Sequence, residues 1–258
     1  MRFLRSTAFI GGSLAAIGAP ALAANECTLP SNPIETDRPD TTNSSIVVPV
    51  GSLQNENGIN ISRQAGADIF DGTNSRWRLG VAPCFEMLID LPNYVGARHG
   101  VSGFGDVTPA MKWQVSPIPG KIDLSITIGA ALPTGATAIA GPGVQPYTQF
   151  PWSIDLGRGW AITGMETNFF APSSPAVKFT NQSTFVIEKE VTERSFLFIE
   201  YVGDYPVSGG TSHLFNSGGG YRITDTQQID FHIGFGLNSN APAYIFGIGY
   251  SFRLDGLF

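Results

Sequence analysis

Lysine is scarce in this chain: there are four in 258 residues, with three histidines and two cysteines. Each shortage excludes something. With a formal charge of −6 and so few lysines, no basic stripe exists to displace counterions from a phosphate backbone, so nucleic acid is not expected as a partner. His99, His213 and His232 are too scattered to suggest a metal site, and no cofactor is expected. Past residue 23 there is no run of about 18 uncharged apolar residues, hence no membrane helix, and no stretch shows the 3.6-residue period of an amphipathic helix.

Glycine (31) and phenylalanine (18) are what the chain has in plenty. The first segment, "MRFLRSTAFIGGSLAAIGAPALA", sets Arg2 and Arg5 before a short apolar run that ends in Ala21, Leu22, Ala23. This is the pattern of a secretory signal peptide over residues 1–23, and its loss would take the formal charge from −6 to −8. Residues 24–51 read as an irregular periplasmic arm, in which Pro30, Pro33, Pro39 and Pro49 oppose ladder pairing.

Residues 52–258 follow a period of two. Twelve strands are predicted, at roughly 52–62, 75–82, 84–92, 105–116, 121–133, 148–157, 160–170, 178–189, 194–204, 213–223, 227–237 and 243–254. Short connections ("APC", "PIPG", "RG", "VTE", "TDT") alternate with longer ones such as 93–104 and 134–147. An even strand number with that alternation is what an up-and-down transmembrane β-barrel needs when both termini are periplasmic.

A soluble sandwich would alternate too. Three features favour the bilayer. The face opposite the apolar one carries small residues and charges, as a polar lumen would. Trp77, Trp113, Trp152 and Trp160 fall near predicted strand ends, where aromatic girdles lie. A leader without a membrane helix leads to the outer membrane of a Gram-negative bacterium, where barrel closure leaves no edge strand. Phe231, Ile233, Ile248 and Phe252 are then predicted to face lipid. Inward candidates are Glu56, Arg76, Arg78, Glu86, Asp90, Lys112, Asp123, Asp155, Glu188, Glu200, Arg222, Asp230, His232 and Arg253, expected to pair across neighbouring strands, with His232 as a hydrogen-bonded lumen residue. In 160–170, Trp160 and Ile162 would send Glu166 outward, so a bulge or an early end is expected there.

Cys27 in the arm and Cys84 in the first short turn both fall at the periplasmic rim, so a disulfide is expected, the alternative being two free thiols. A bridge would hold "TDRPD" (36–40) against or inside the periplasmic opening as a partial plug. "GFGLN" and "GIGYSF" sit in strands and open no helix, so they are not phosphate loops. Ser212 and His213 are adjacent on a strand and point to opposite faces, which gives no catalytic pair.

"TDRPD", "VPVGSLQNENG" (48–58), "RLGV" (78–81), "GFGDV" (103–107), "LPTG" (132–135), "QQID" (227–230) and "GYSFRL" (249–254), in this order, resemble the outer-membrane protein family named after the meta-pathway of phenol degradation. Here "DGL" separates the last strand from Phe258, the terminal aromatic of the usual assembly signal. The resemblance implies a membrane-embedded antiparallel barrel that passes small, often aromatic, compounds, and it brings no catalytic residue. The expected partners are outer-membrane lipid, the barrel-assembly machinery and a small-molecule solute. The alternatives are a closed structural or surface-interaction barrel and, more remotely, an outer-membrane hydrolase.

Overall fold

The computed structural model describes residues 27–98, 100–115, 122–174 and 178–258. The leader at 1–23, the "PIPG" turn and His99 lie outside the described residues. The strands are β1 (Leu53–Gln64), β2 (Ala67–Gly72), β3 (Arg76–Ala82), β4 (Phe85–Asp90), β5 (Tyr94–Ala97), β6 (Ser102–Phe104), β7 (Thr108–Gln114), β8 (Ile122–Ala131), β9 (Gln145–Gly157), β10 (Trp160–Phe170), β11 (Phe179–Thr192), β12 (Ser195–Pro206), β13 (Ser212–Thr224), β14 (Gln227–Gly236) and β15 (Tyr244–Leu254).

All pairings between them are antiparallel, and β15 returns to β1 in a register running from Leu53↔Leu254 to Arg63↔Tyr244, which closes the sheet. β3 pairs with the first part of β1 and β2 with the second, so β2 and β3 are one wall strand broken at residues 73–75. β4 with β5, and β6 with β7, are broken at the same level. Counted this way the molecule is a closed antiparallel barrel of twelve strands. The breaks stay knit by irregular bonds, Leu91 N–H to Ser75 O (2.8 Å) and Gly105 N–H to Asn93 O (2.9 Å).

The strands expected from the sequence are present with small shifts at their ends. What the period-two reading missed is β2, β5 and β6, the last two inside the expected loop 93–104. Segments of three to six residues are too short for a period to show.

Burial is inverted relative to a water-soluble domain. Glu56, Arg78, Glu86 and Lys112 are 0 % exposed, while Phe231, Ile233 and Ile248 are 48 %, 41 % and 46 % exposed. Among the described residues, Leu88, Ala110 and Tyr147 form a small buried apolar cluster. Such an outward face is what a bilayer-spanning barrel presents to hydrocarbon, and closure of the sheet leaves it no edge strand. Phe252 is half-buried, edge-on to Trp77 at 6.2 Å. Glu166 is outward and exposed, bonded by Ser183 (2.8 Å) and Asn181 (3.2 Å). β10 reaches Phe170 without ending early, and its register shift falls at Trp160/Ala161.

The short turns lie at one end with Leu53 and Leu254. At the β9–β10 turn Arg158 (φ 57°) and Gly159 (φ 72°) take the left-handed conformations a tight hairpin demands.

Candidate functional site: a lumen filled by the N-terminal arm

The arm is tied to the turn between β3 and β4 by a Cys27–Cys84 disulfide (Cα–Cα 5.0 Å) and runs into β1 at its other end. Between these anchors it climbs inside the barrel. Ile34, Val47 and Val48 are 2 to 3 % exposed, and Asp37, Thr42, Asn43 and Ser45 are buried. The arm therefore reaches well inside the barrel from the short-turn end.

Lacking a ladder, the arm needs other partners for its buried backbone groups. Carboxylates on the wall accept them: Glu56 from Asp37 N–H (2.8 Å), Glu86 from Val48 N–H (2.7 Å), and Glu200 from Thr42 N–H (2.9 Å) and Thr41 N–H (3.0 Å). Charged acceptors make such bonds short and strong. Gln114 accepts from Val47 N–H, and Arg78 donates to Ile46 O and Glu35 O.

Asp37 is the centre of the ion cluster. Its carboxylate meets Arg76 (2.9 Å), Lys112 (3.1 Å) and Arg78 (3.3 Å), and these cations also meet Asp90, Glu86 and Glu56. Burial alone would raise the Asp37 carboxyl, but Arg78, Lys112 and Arg76 outweigh it and hold it well below the usual carboxylate range. Farther round the barrel, Arg38 pairs with Asp230 on β14 at 3.1 Å, Thr42 bonds Thr184 on β11 (2.6 Å), and Asn43 donates to Gln149 on β9 (2.9 Å).

The inward glycines make room for this arm. A Cβ on Gly58 or Gly249 would lie 2.2 Å and 2.5 Å from the Arg38 guanidinium group, and one on Gly80 would lie 2.0 Å from Pro49 O.

Among the other inward candidates, Arg253 holds Pro30 O and Asn32 O, and His232 bridges Asn60 and Asn216. Arg222 reaches Glu190 at 3.4 Å. Asp123 and Glu188 are half-buried beside a cavity. Asp155 departs from the expected cross-strand pairing, because it is exposed at the end of β9 and accepts Gly157 N–H in the turn. Asp37, Arg38, Asp40, Thr42 and Asn43 were absent from the expected set. Their signal was "TDRPD", a cluster of three charges inside a strandless stretch that otherwise carries only Glu26 and Glu35. His213 faces outward to Tyr201 and Thr211, not to Ser212.

Two cavities flank the arm. One, of about 230 Å³, lies toward the short-turn end and is lined by Glu35, Asp123, Glu188, Glu190 and Arg222. The other, of about 350 Å³, lies behind the strand breaks and is lined by Asn74, Arg76, Asp90, Asn93 and Asp106. Arg38, Asp40 and Asn43 line both. Asp106 also accepts the N–H groups of Thr134 (3.0 Å) and Gly135 (2.9 Å), so "GFGDV" and "LPTG" form one structure above the second cavity. Among the described residues no group of three or more His, Cys, Asp or Glu is placed to hold a metal ion.

A closed twelve-stranded barrel with an apolar exterior and a polar, arm-filled interior is an outer-membrane β-barrel. The chain belongs to the family described as "Putative MetA-pathway of phenol degradation", whose model matches residues 36–254. No curated protein matches the sequence. Among solved structures it is similar to the COG4313 outer membrane channel from Pseudomonas putida F1, with 15% identity, a TM-score of 0.66, and 85% of this chain and 100% of that one covered. The KdgM porin in complex with disordered oligogalacturonate follows, at 8% identity and TM-score 0.55, with 78% and 98% covered. The NanC porin gives 8% identity and TM-score 0.55, with 78% and 100% covered.

Proposed function

We propose that this protein is a passive outer-membrane channel for small molecules, including aromatic ones, whose polar lumen is partly occupied by its own N-terminal arm. The observation that carries this reading is the pair of polar cavities, about 230 and 350 Å³, lying on either side of a thin stretch of arm. An interior meant only to be filled would close over such spaces. Twelve strands give a barrel between those that side chains fill and the wide aqueous porins. The match to a family named for phenol degradation, and the channel and porin names of the similar structures, support the solute class and the passive mode. The inward charges, Glu56, Glu86, Asp90, Asp123, Glu188, Glu200 and Asp230 with Arg76, Arg78, Lys112, Arg222 and Arg253, would line the path and seat the arm.

One observation favours a second reading, a closed structural barrel: the arm's ion cluster is buried and heavily bonded. Swelling of liposomes carrying the purified protein, in small neutral sugars and in benzoate, decides between them. Swelling faster than in protein-free liposomes is expected. Equal rates for every solute would favour the closed barrel.

A further inference from the structure

The arm's bonds are not evenly spread. Ser44 N–H donates to Asp37 Oδ1 at 3.0 Å, and Lys112 Nζ holds both Asp37 Oδ1 (3.1 Å) and Ser44 O (3.0 Å). Residues 38–43 thus form a short strap whose two ends are pinned together on the β3 and β7 wall by the ion cluster. The strap spans the lumen to β12 and β14, where Glu200 takes Thr41 and Thr42, and Asp230 takes Arg38. That ion pair is single-point: Arg38 Nε and Asp230 Oδ2 are buried without hydrogen-bond partners. Apart from Pro39, every side chain of the strap is polar. Water can replace each of its bonds to the far wall, so swinging it aside exposes little apolar surface.

The strap is also what separates the two cavities, since Arg38, Asp40 and Asn43 line both. The arm is covalently held at Cys27 and at β1, so a path opens by local movement more readily than by expulsion of the whole arm.

We propose that residues 38–43 are the gate of the channel, hinged at Asp37 and Ser44 and latched to β14 by Arg38 on Asp230 and across the lumen to β12 by Thr41 and Thr42 on Glu200. This rests on the channel reading above. A solute moves between the two cavities only when the latch is open, so the strap sets how large a molecule passes while the barrel wall stays fixed.

The test uses the full mature chain in liposomes, with swelling in small neutral sugars as the readout and heat-modifiable gel migration as the check that each variant is a folded barrel. Arg38→Ala combined with Glu200→Ala removes both latches, and a several-fold faster swelling rate is expected. Thr42→Cys with Thr184→Cys, oxidised, ties the strap to β11 where the two hydroxyls now meet at 2.6 Å. Its swelling rate is expected to fall below that of Thr42→Cys alone. If the unlatched and the tied proteins both swell at the wild-type rate, solute bypasses the strap and the gate is overturned while the channel stands. If wild type, unlatched and tied proteins all fail to swell, the channel reading falls and the gate with it.

Discussion

Arg78 is fully buried and within 3.3 Å of three carboxylates, those of Asp37, Glu56 and Glu86. Charges in such a place are stable only as a set, and removing one partner leaves the others uncompensated. Arg78→Met is therefore expected to cost about 3 to 5 kcal/mol, read from the urea midpoint of the compact barrel. Arg78→Lys is expected to recover only part of the loss, because an ammonium cannot reproduce the forked contact of the guanidinium with Glu86. Asp37 sets how the base of the strap responds to acid. Its carboxyl is lowered in the folded protein, so its contribution is fully present above the unfolded value of about 3.9 and drains away as pH falls through the lower folded value. The base of the strap, held at Asp37 by Arg76, Arg78 and Lys112, is expected to stay seated in mild acid, near pH 5, and to loosen only below the ordinary Asp range. Protease protection of residues 27–50 in proteoliposomes, followed against pH, measures this; release already at pH 5 would contradict it.

On single strands, alternation has different consequences on the two faces. Phe231 on β14 and Ile248 on β15 are paired, mid-strand, outward and nearly half exposed, so they are expected to face hydrocarbon. Ile248→Arg is expected to cost about 2 to 4 kcal/mol in lipid, against about 0 to 1 for Tyr244→Arg at the strand end. Equal costs in urea unfolding from vesicles would place the bilayer elsewhere. On the inner face, small residues are determined by the arm. Gly80 sits under the carbonyl of Pro49, a backbone group that cannot turn away, so Gly80→Ala is expected to lift residues 48–50 off the wall. Gly249→Ala meets the side-chain ends of Arg38 and Asp230 and is expected to displace that ion pair while the barrel stays folded. Cleavage of the arm by added protease should separate the two variants, with the Gly80 variant cut faster.

For the molecule as a whole, the disulfide turns the arm from a tail into a covalently closed loop, 57 residues apart in sequence at its ends. Closing a loop of that length restricts the unfolded chain by an amount worth about 4 kcal/mol in the chain-entropy description. Cys27→Ser is expected to lower the unfolding midpoint and to expose the arm to protease, while the barrel still migrates as a compact band before boiling. Mass spectrometry of unreduced digests should find the two cysteines in one linked peptide pair, and free thiols at both positions would remove the tether.

By itself the sequence determined the barrel. Side-chain alternation is a local property of every strand, so the outward run of Ile229, Phe231, Ile233 and Phe235 was readable without any neighbour. Strand count, the common side of the termini and the placing of Cys27 and Cys84 at the same rim follow from counting turns, while the distance between the two cysteines came from the structure. The breaks in the second, third and fourth wall strands were not readable, because β5 and β6 are four and three residues long and are defined only by what they pair with. The site was half legible. Buried charges on the wall stood out because period two assigned them inward, but period two says nothing about a segment without regular structure. Only the tertiary structure brought Asp37 to Arg76, Arg78 and Lys112, and only it showed that glycines at 58, 80 and 249 leave room for a chain and not for water. An irregular arm is positioned by long-range ion pairs and hydrogen bonds, which depend on where the closed wall puts their partners and leave no periodic trace in the chain itself.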